Sequence, residues 1–211
     1  VLSWLAEVIW VPILLLTGYE PFDGFSLNPS EEIVKTLGNT KVGQYDVHGL
    51  VLPLDYTKAF ELLVSKMDEI GPSFVLCTGQ ASRGAVTIER IAVNAQSTLK
   101  EDNYGNKPES DVIIPGAPAA YFSSVDPQPI VDLLQKQGIP AQVSYHAGTY
   151  GCNWILFQVL HRIARDNLST QATFVHVPPL PEQAIEKNRA DLPNMLLSEE
   201  LRAIELIIGE L

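Results

Sequence analysis

The chain has 211 residues, 46% hydrophobic and 18% charged, with 14 Gly and 15 Pro, a composition that excludes fibrous and disordered classes and fits a folded α/β protein. Its 14 basic against 25 acidic side chains leave a net charge of −11, a field that opposes binding to a phosphate backbone or an anionic bilayer. Two cysteines, Cys77 and Cys152, are too few for a disulfide framework, and no paired Cys/His spacing suggests zinc. A reducing, cytoplasmic setting is therefore expected, with no metal, cofactor, nucleic acid or membrane as partner.

The opening VLSWLAEVIWVPILLLTG lacks a basic flank, carries Glu7 and Pro12, and is too short and interrupted to span a bilayer. Residues 1–10 are read as an N-terminal extension of a single domain covering 1–211, and Ile13–Thr17 as its buried first strand. A helix over Pro29–Leu37 follows, with Asn28 as N-cap and Pro29 at the first helical position. Then come a strand over Val47–Pro53, a helix over Tyr56–Ile70, and strands over Phe74–Gly79 and Val86–Ala92. The stretch Thr98–Ala120, rich in Asp, Asn, Gly and Pro, predicts a long loop with room for a hairpin. A helix over Gln128–Gln137, a strand over Ala141–Tyr145, a helix over Cys152–Asp166, a strand over Thr173–Val177 and a helix over Glu199–Gly209 complete the chain. Gly38, Gly71 and Gly138 are C-cap candidates. The alternation predicts a three-layer αβα sandwich around a twisted, mostly parallel sheet, with its chemistry on loops at the carboxyl ends of the strands.

In AGTYGCNWILF, Cys152 stands at the start of an apolar run of helical period, on the first turn of a helix. Unpaired backbone N–H groups there stabilise a thiolate and can receive an oxyanion. The alternative is a small buried core residue. Cys77, inside FVLCTG, reads as core. A thiol nucleophile needs a base, and the base needs an orienting group. His176 lies at the end of the strand-like ATFVHVPPLP and His146 six residues before Cys152, and local pattern leaves the two as rivals. His48 and His161 fit surface or core roles. Glu89 interrupts the apolar VTIERIAVN. An ion pair with Arg90 is awkward, because adjacent strand residues face opposite ways, so a catalytic or orienting role is an equal reading. TGYEPFDGF contains glycine but is not GxGxxG, and gives no warrant for a dinucleotide. The Asn167–Leu168–Ser169 sequon carries no information in a cytosolic protein.

Taken together and in order, TGYEPFDGFSLNPS, CTGQASRGAVTIERIAVN, DNYGN, PGAPAAYFSS, GIPAQVSYHAGTYGCN and FVHVPPLPEQ resemble the pyroglutamyl peptidase I (pyrrolidone-carboxylate peptidase) family from about Thr17 to Gln183. The resemblance implies a phosphorylase/hydrolase-like fold and a cysteine peptidase that removes an N-terminal pyroglutamyl residue. Its Glu–Cys–His set falls on Glu89, Cys152 and His176, and no metal or cofactor is implied. It settles His176 over His146. It also implies pyroglutamyl peptides as partners, a homo-oligomer (tetramer or dimer), and a substrate pocket drawn from Tyr19, Phe22 and Gln80. Pyroglutamate is an uncharged lactam, so such a pocket needs an apolar wall and a few complementary polar groups.

The chain departs from the family pattern at several places. Leu99 stands where relatives carry an arginine, with Lys100 beside it as an imperfect substitute. Tyr19 replaces a phenylalanine, Asp23 a glycine, and Gly151 a bulky apolar residue, which predicts a looser Cys152. Two alternatives follow: a catalytically weak relative that binds pyroglutamyl peptides or small lactams, and a nucleoside-phosphorylase-like enzyme, which lacks a recognisable phosphate motif.

Overall fold

A computed structural model describes residues 11–211, and the proposed 1–10 extension lies outside the described residues. Strands β1 (Ile13–Tyr19), β2 (Thr40–Val42), β3 (Tyr45–Leu52), β4 (Phe74–Gln80), β5 (Val86–Glu89), β8 (Ala141–Ser144) and β9 (Gln171–Val177) form one sheet in the order β2-β3-β1-β4-β9-β5-β8. The β3, β1, β4 and β9 neighbours are parallel, as are β5 and β8, whereas β5 runs antiparallel to β9. β6 (Ile91–Val93) and β7 (Ala120–Phe122) make a separate two-stranded ribbon. Every residue of β4 is buried, as a central strand covered on both faces requires.

Helices cover both faces. α1 (Pro29–Leu37), α3 (Pro127–Lys136) and α6 (Leu197–Glu210) bury their apolar stripes against Leu14, Leu16, Phe74 and Leu76. α2 (Ala59–Ile70) and α4 (Gly151–Arg165) do so against Leu15, Val75, Cys77 and Phe174, on the opposite face. Alternation along each strand creates these two cores. The short α5 (Pro181–Glu186) follows β9. The result is the expected αβα sandwich with a mixed, mostly parallel sheet.

Local chemistry accounts for most element ends. Asn28 Oδ1 accepts the Ser30 N–H at 3.0 Å and Pro29 opens α1, as the sequence predicts. Gly71 closes α2 in the left-handed region, at φ 56°. α2 starts three residues later than expected because Asp55 Oδ1 accepts both the Thr57 N–H and its hydroxyl, a turn that competes with the helix. The predicted strand Val86–Ala92 breaks at Arg90, whose N–H donates to Ser144 O while its guanidinium sits 4.6 Å from the Phe122 ring centre. The long segment before β7 has no strand of its own. It is tied down by Asp102, whose carboxylate accepts the N–H groups of Tyr56, Tyr104 and Asn106.

One buried charge-bearing group stands apart from the rest. Glu200, in the first turn of α6, has no exposed surface, and neither carboxyl oxygen has a hydrogen-bond partner among the described residues. Burial alone pushes its pKa up to about 9, so it is a neutral acid at pH 7.

Candidate active site

The sheet register brings two of the predicted residues together. Thr87 of β5 pairs with His176 of β9, so Glu89, two residues on, faces the same way as His176 and one diagonal away. His176 Nδ1 and Glu89 Oε1 are 2.8 Å apart, with both side chains buried. The same Oε1 accepts from Arg83 Nη1 at 3.0 Å, and that guanidinium also donates to Thr87 Oγ1 and to His146 O, each at 2.8 Å. Burial pushes the Glu89 carboxyl up, but the His176 hydrogen bond and the Arg83 charge outweigh it and hold Glu89 below the usual carboxylate range. Burial drives His176 down more strongly than Glu89 raises it. The resting pair is therefore a carboxylate and a neutral imidazole. An ionised Glu89 only accepts, so the ring proton sits on Nδ1 and the Nε2 lone pair is left free.

Cys152 is the second residue of α4, and it lines, with His176, a cavity of about 250 Å³. Its place is set by a missing side chain. A Cβ on Gly79, the β4 residue paired with His176, would fall 3.0 Å from Cys152 Sγ and 2.8 Å from the Phe174 ring. Asn153 locks the helix start from the other side, accepting the Val93 N–H and donating to Val93 O and Ala95 O, each at 2.9 Å. Tyr150, at the N-cap of α4, makes no side-chain capping bond, and among the described residues the first N–H groups of the helix remain unclaimed beside the thiol. Burial pushes the thiol up to about 12, with Arg83 and Lys100 pulling the other way, so Cys152 rests protonated. The arrangement offers a neutral thiol, a neutral imidazole backed by a carboxylate, and an open helix N-terminus around one small cavity.

The rest of the wall is aromatic and amide. Phe22 and Phe25, on the loop after β1, line the cavity together with Tyr150 and Gln80. Gln80 Oε1 accepts from Gln183 Nε2 at 2.8 Å, which leaves Gln80 Nε2 without a partner among the described residues, on a side chain that lines the cavity. Tyr19 is placed elsewhere. It is 1% exposed, and its hydroxyl donates to Gly151 O at 2.8 Å beneath the start of α4.

The family model described as Pyroglutamyl peptidase matches residues 13–210. The chain belongs to the pyroglutamyl peptidase family. The pyrrolidone-carboxylate peptidase of Pyrococcus furiosus is 42% identical over 198 residues, covering 92% of this chain and 95% of that one. That of Bacillus cereus is 39% identical over 196 residues, covering 92% and 90%. The solved pyrrolidone carboxyl peptidase of Thermococcus litoralis superposes with a TM-score of 0.89 at 38% identity, covering 93% of this chain and 91% of that one.

Within this family fold, the structure gathers Glu89, Cys152, His176, Phe22 and Gln80 at one place and sets Tyr19 behind it. His146 contributes its carbonyl to Arg83 and accepts the Gly148 N–H on Nδ1 at 2.8 Å, with its ring exposed. Sequence reasoning missed Arg83 and Gly79. The first carries a legible signal, a cation six residues before a buried acid, whereas the second becomes visible only through packing. Leu99 is 88% exposed and stands off the cavity wall, while its neighbour Lys100 lines it. At Gly151 a Cβ would fall against Leu54 Cδ1, the end of a side chain that can shift, and the Gly151 carbonyl accepts the Tyr19 hydroxyl.

Proposed function

We propose that the protein hydrolyses the N-terminal pyroglutamyl residue from peptides as a cysteine peptidase, with Cys152 as nucleophile, His176 as base and acid, and Glu89 as the orienting carboxylate. The observation that carries this reading is the Nδ1–Glu89 hydrogen bond, which leaves His176 Nε2 free on the cavity that Cys152 lines. Nε2 takes the thiol proton as Sγ attacks the pyroglutamyl carbonyl, and the uncapped N–H groups of α4 receive the developing oxyanion. The C–N bond breaks as the imidazolium returns its proton to the leaving amine. Water, deprotonated by the same nitrogen, then hydrolyses the thioester and regenerates the thiol.

Phe22 and Phe25 supply the apolar wall for the lactam, and Gln80 Nε2 is the donor matched to its carbonyl. A free N-terminal glutamate would carry two charges into this pocket and lose its hydration. Tyr19 acts behind the wall, fixing Gly151 and with it the backbone that carries Cys152. The described residues form one catalytic unit, and a homo-oligomer of such units in a reducing cytoplasm completes the reading. Two buried free thiols suit that compartment.

Release of a fluorogenic amine from its pyroglutamyl amide, in reducing buffer with EDTA, tests the proposal. Turnover by the wild type and none by Cys152→Ala is expected. Equal turnover by both, or loss of wild-type turnover in EDTA, would overturn it.

A further inference from the structure

The cavity is roofed by the segment Phe22–Ser26, and this roof is tied on two sides by contacts of different kinds. On one side the end of α5 holds its backbone: Glu186 accepts the Ser26 N–H at 3.1 Å, and Lys187 Nζ donates to Gly24 O and lies 4.5 Å from the Phe25 ring centre. On the other side the tie runs from side chain to side chain. Lys100 Nζ is 2.8 Å from the Asp23 carboxylate and 3.9 Å from the centre of the Tyr150 ring. Tyr150 is itself fixed, its hydroxyl donating to Glu101 O at 2.7 Å and its ring meeting Phe22 edge-on. Asp23 holds a left-handed backbone at φ 56°, a conformation that aspartate tolerates better than most residues.

We infer that Asp23 and Lys100 are a positioning pair that holds Phe22 and Phe25 over the cavity, so that breaking the pair weakens substrate capture and leaves the chemical step intact. The pair spans two segments far apart in sequence, and both segments contribute wall to the same cavity. Its side chains are half exposed, so the tie is the part of the roof that salt can screen. It does not read substrate charge, because the lactam has none and the two charges satisfy each other. It works by restricting the roof, and a ligand then meets two aromatic walls that are already ordered. The inference rests on the pyroglutamyl pocket proposed above for its effect on KM, but not for its effect on access to Cys152.

Two variants test it. Asp23→Asn keeps a residue suited to the left-handed turn, removes one charge of the pair and leaves in place Lys100, which pulls the Cys152 thiol down, and Lys100→Arg keeps both the charge and the aromatic contact. Labelling of Cys152 by iodoacetamide, located by peptide mapping so that Cys77 serves as internal control, reads roof opening without any turnover. Asp23→Asn is expected to raise the labelling rate and KM each about two- to fivefold, the range that an exposed ion pair supports, with kcat unchanged. Lys100→Arg stays near wild type. High salt produces the same rise in the wild type and none in Asp23→Asn. Salt-independent labelling of the wild type overturns the inference without need of any variant, and so does faster labelling with an unaltered KM. Failure of the pyroglutamyl reading would appear separately, as absence of turnover in the wild type.

Discussion

Glu200→Gln is expected to stabilise the protein, and by an amount that depends on pH in a defined way. The carboxyl is buried in the first turn of α6 with both oxygens unpartnered among the described residues, and its pKa rises from the ordinary 4.5 to about 9. The folded state thus keeps a proton that the unfolded chain releases above its ordinary pKa. Below pH 4 both states hold the proton and the group contributes no pH dependence. As pH rises between the two values, stability falls by about 1.4 kcal/mol per pH unit, a cost of about 3 kcal/mol at pH 7. Glutamine has nearly the same shape and no charge, so the variant lacks this slope. For a chain of this size about 3 kcal/mol corresponds to a rise of roughly 6–12 °C in Tm at pH 7, shrinking toward zero near pH 4. Thermal and guanidinium unfolding followed by circular dichroism at pH 4, 7 and 8 measures it. A variant less stable at pH 7, or a gap that does not change with pH, would mean that Glu200 is ionised and paired, and the argument would fail.

Three further outcomes follow from the site. Glu89→Gln removes the charge that stabilises the imidazolium while keeping the size of the side chain, so kcat should fall about 10²- to 10⁴-fold with little change in KM, as steady-state kinetics will show. Arg83→Gln removes a cation that opposes protonation of His176, so the acid limb of the kcat/KM profile, where activity is lost as pH falls through the His176 pKa, should move to higher pH. A limb that moves to lower pH would reverse the assignment. Gly79→Ala places a methyl 3.0 Å from Cys152 Sγ and 2.8 Å from the Phe174 ring. It should cost about 1–3 kcal/mol in denaturant unfolding and lower kcat by at least about tenfold, because the sulfur must move.

Much of this was legible in the sequence because the chain's local signals agree with its tertiary structure. Asn28–Pro29 starts α1 in both readings, and the apolar run Phe74–Gln80 could be satisfied only in the middle of a covered sheet. The buried strand position of Glu89 was readable for the same reason, since a carboxylate among apolar neighbours demands a partner. Which histidine partners it was not readable from local pattern. His176 reaches Glu89 because β5 lies beside β9, a pairing that no local pattern encodes. The break at Arg90 was hidden because the apolar alternation runs on through it, and only the pairing of β6 with β7 shows that the chain changes sheets. Of the pocket expected from Tyr19, Phe22 and Gln80, only Tyr19 stands away from the cavity, for a geometric reason. Tyr19 is the last residue of β1 and points beneath α4, whereas Phe22 lies beyond it on the roof.

The antiparallel pairing of β5 with β9 divides the three proposed catalytic groups into two mechanical classes. Glu89 and His176 stand on hydrogen-bonded neighbouring strands, so their separation is fixed by the dimensions of a backbone ladder and changes only if the sheet itself comes apart. Cys152 rides on a helix laid across that sheet, and its distance from His176 depends on side-chain packing at Gly79, Phe174 and Asn153. Heating, pressure or a distant core substitution that loosens α4 will therefore uncouple the sulfur from an imidazole–carboxylate pair that is still intact, and activity will be lost before the fold is.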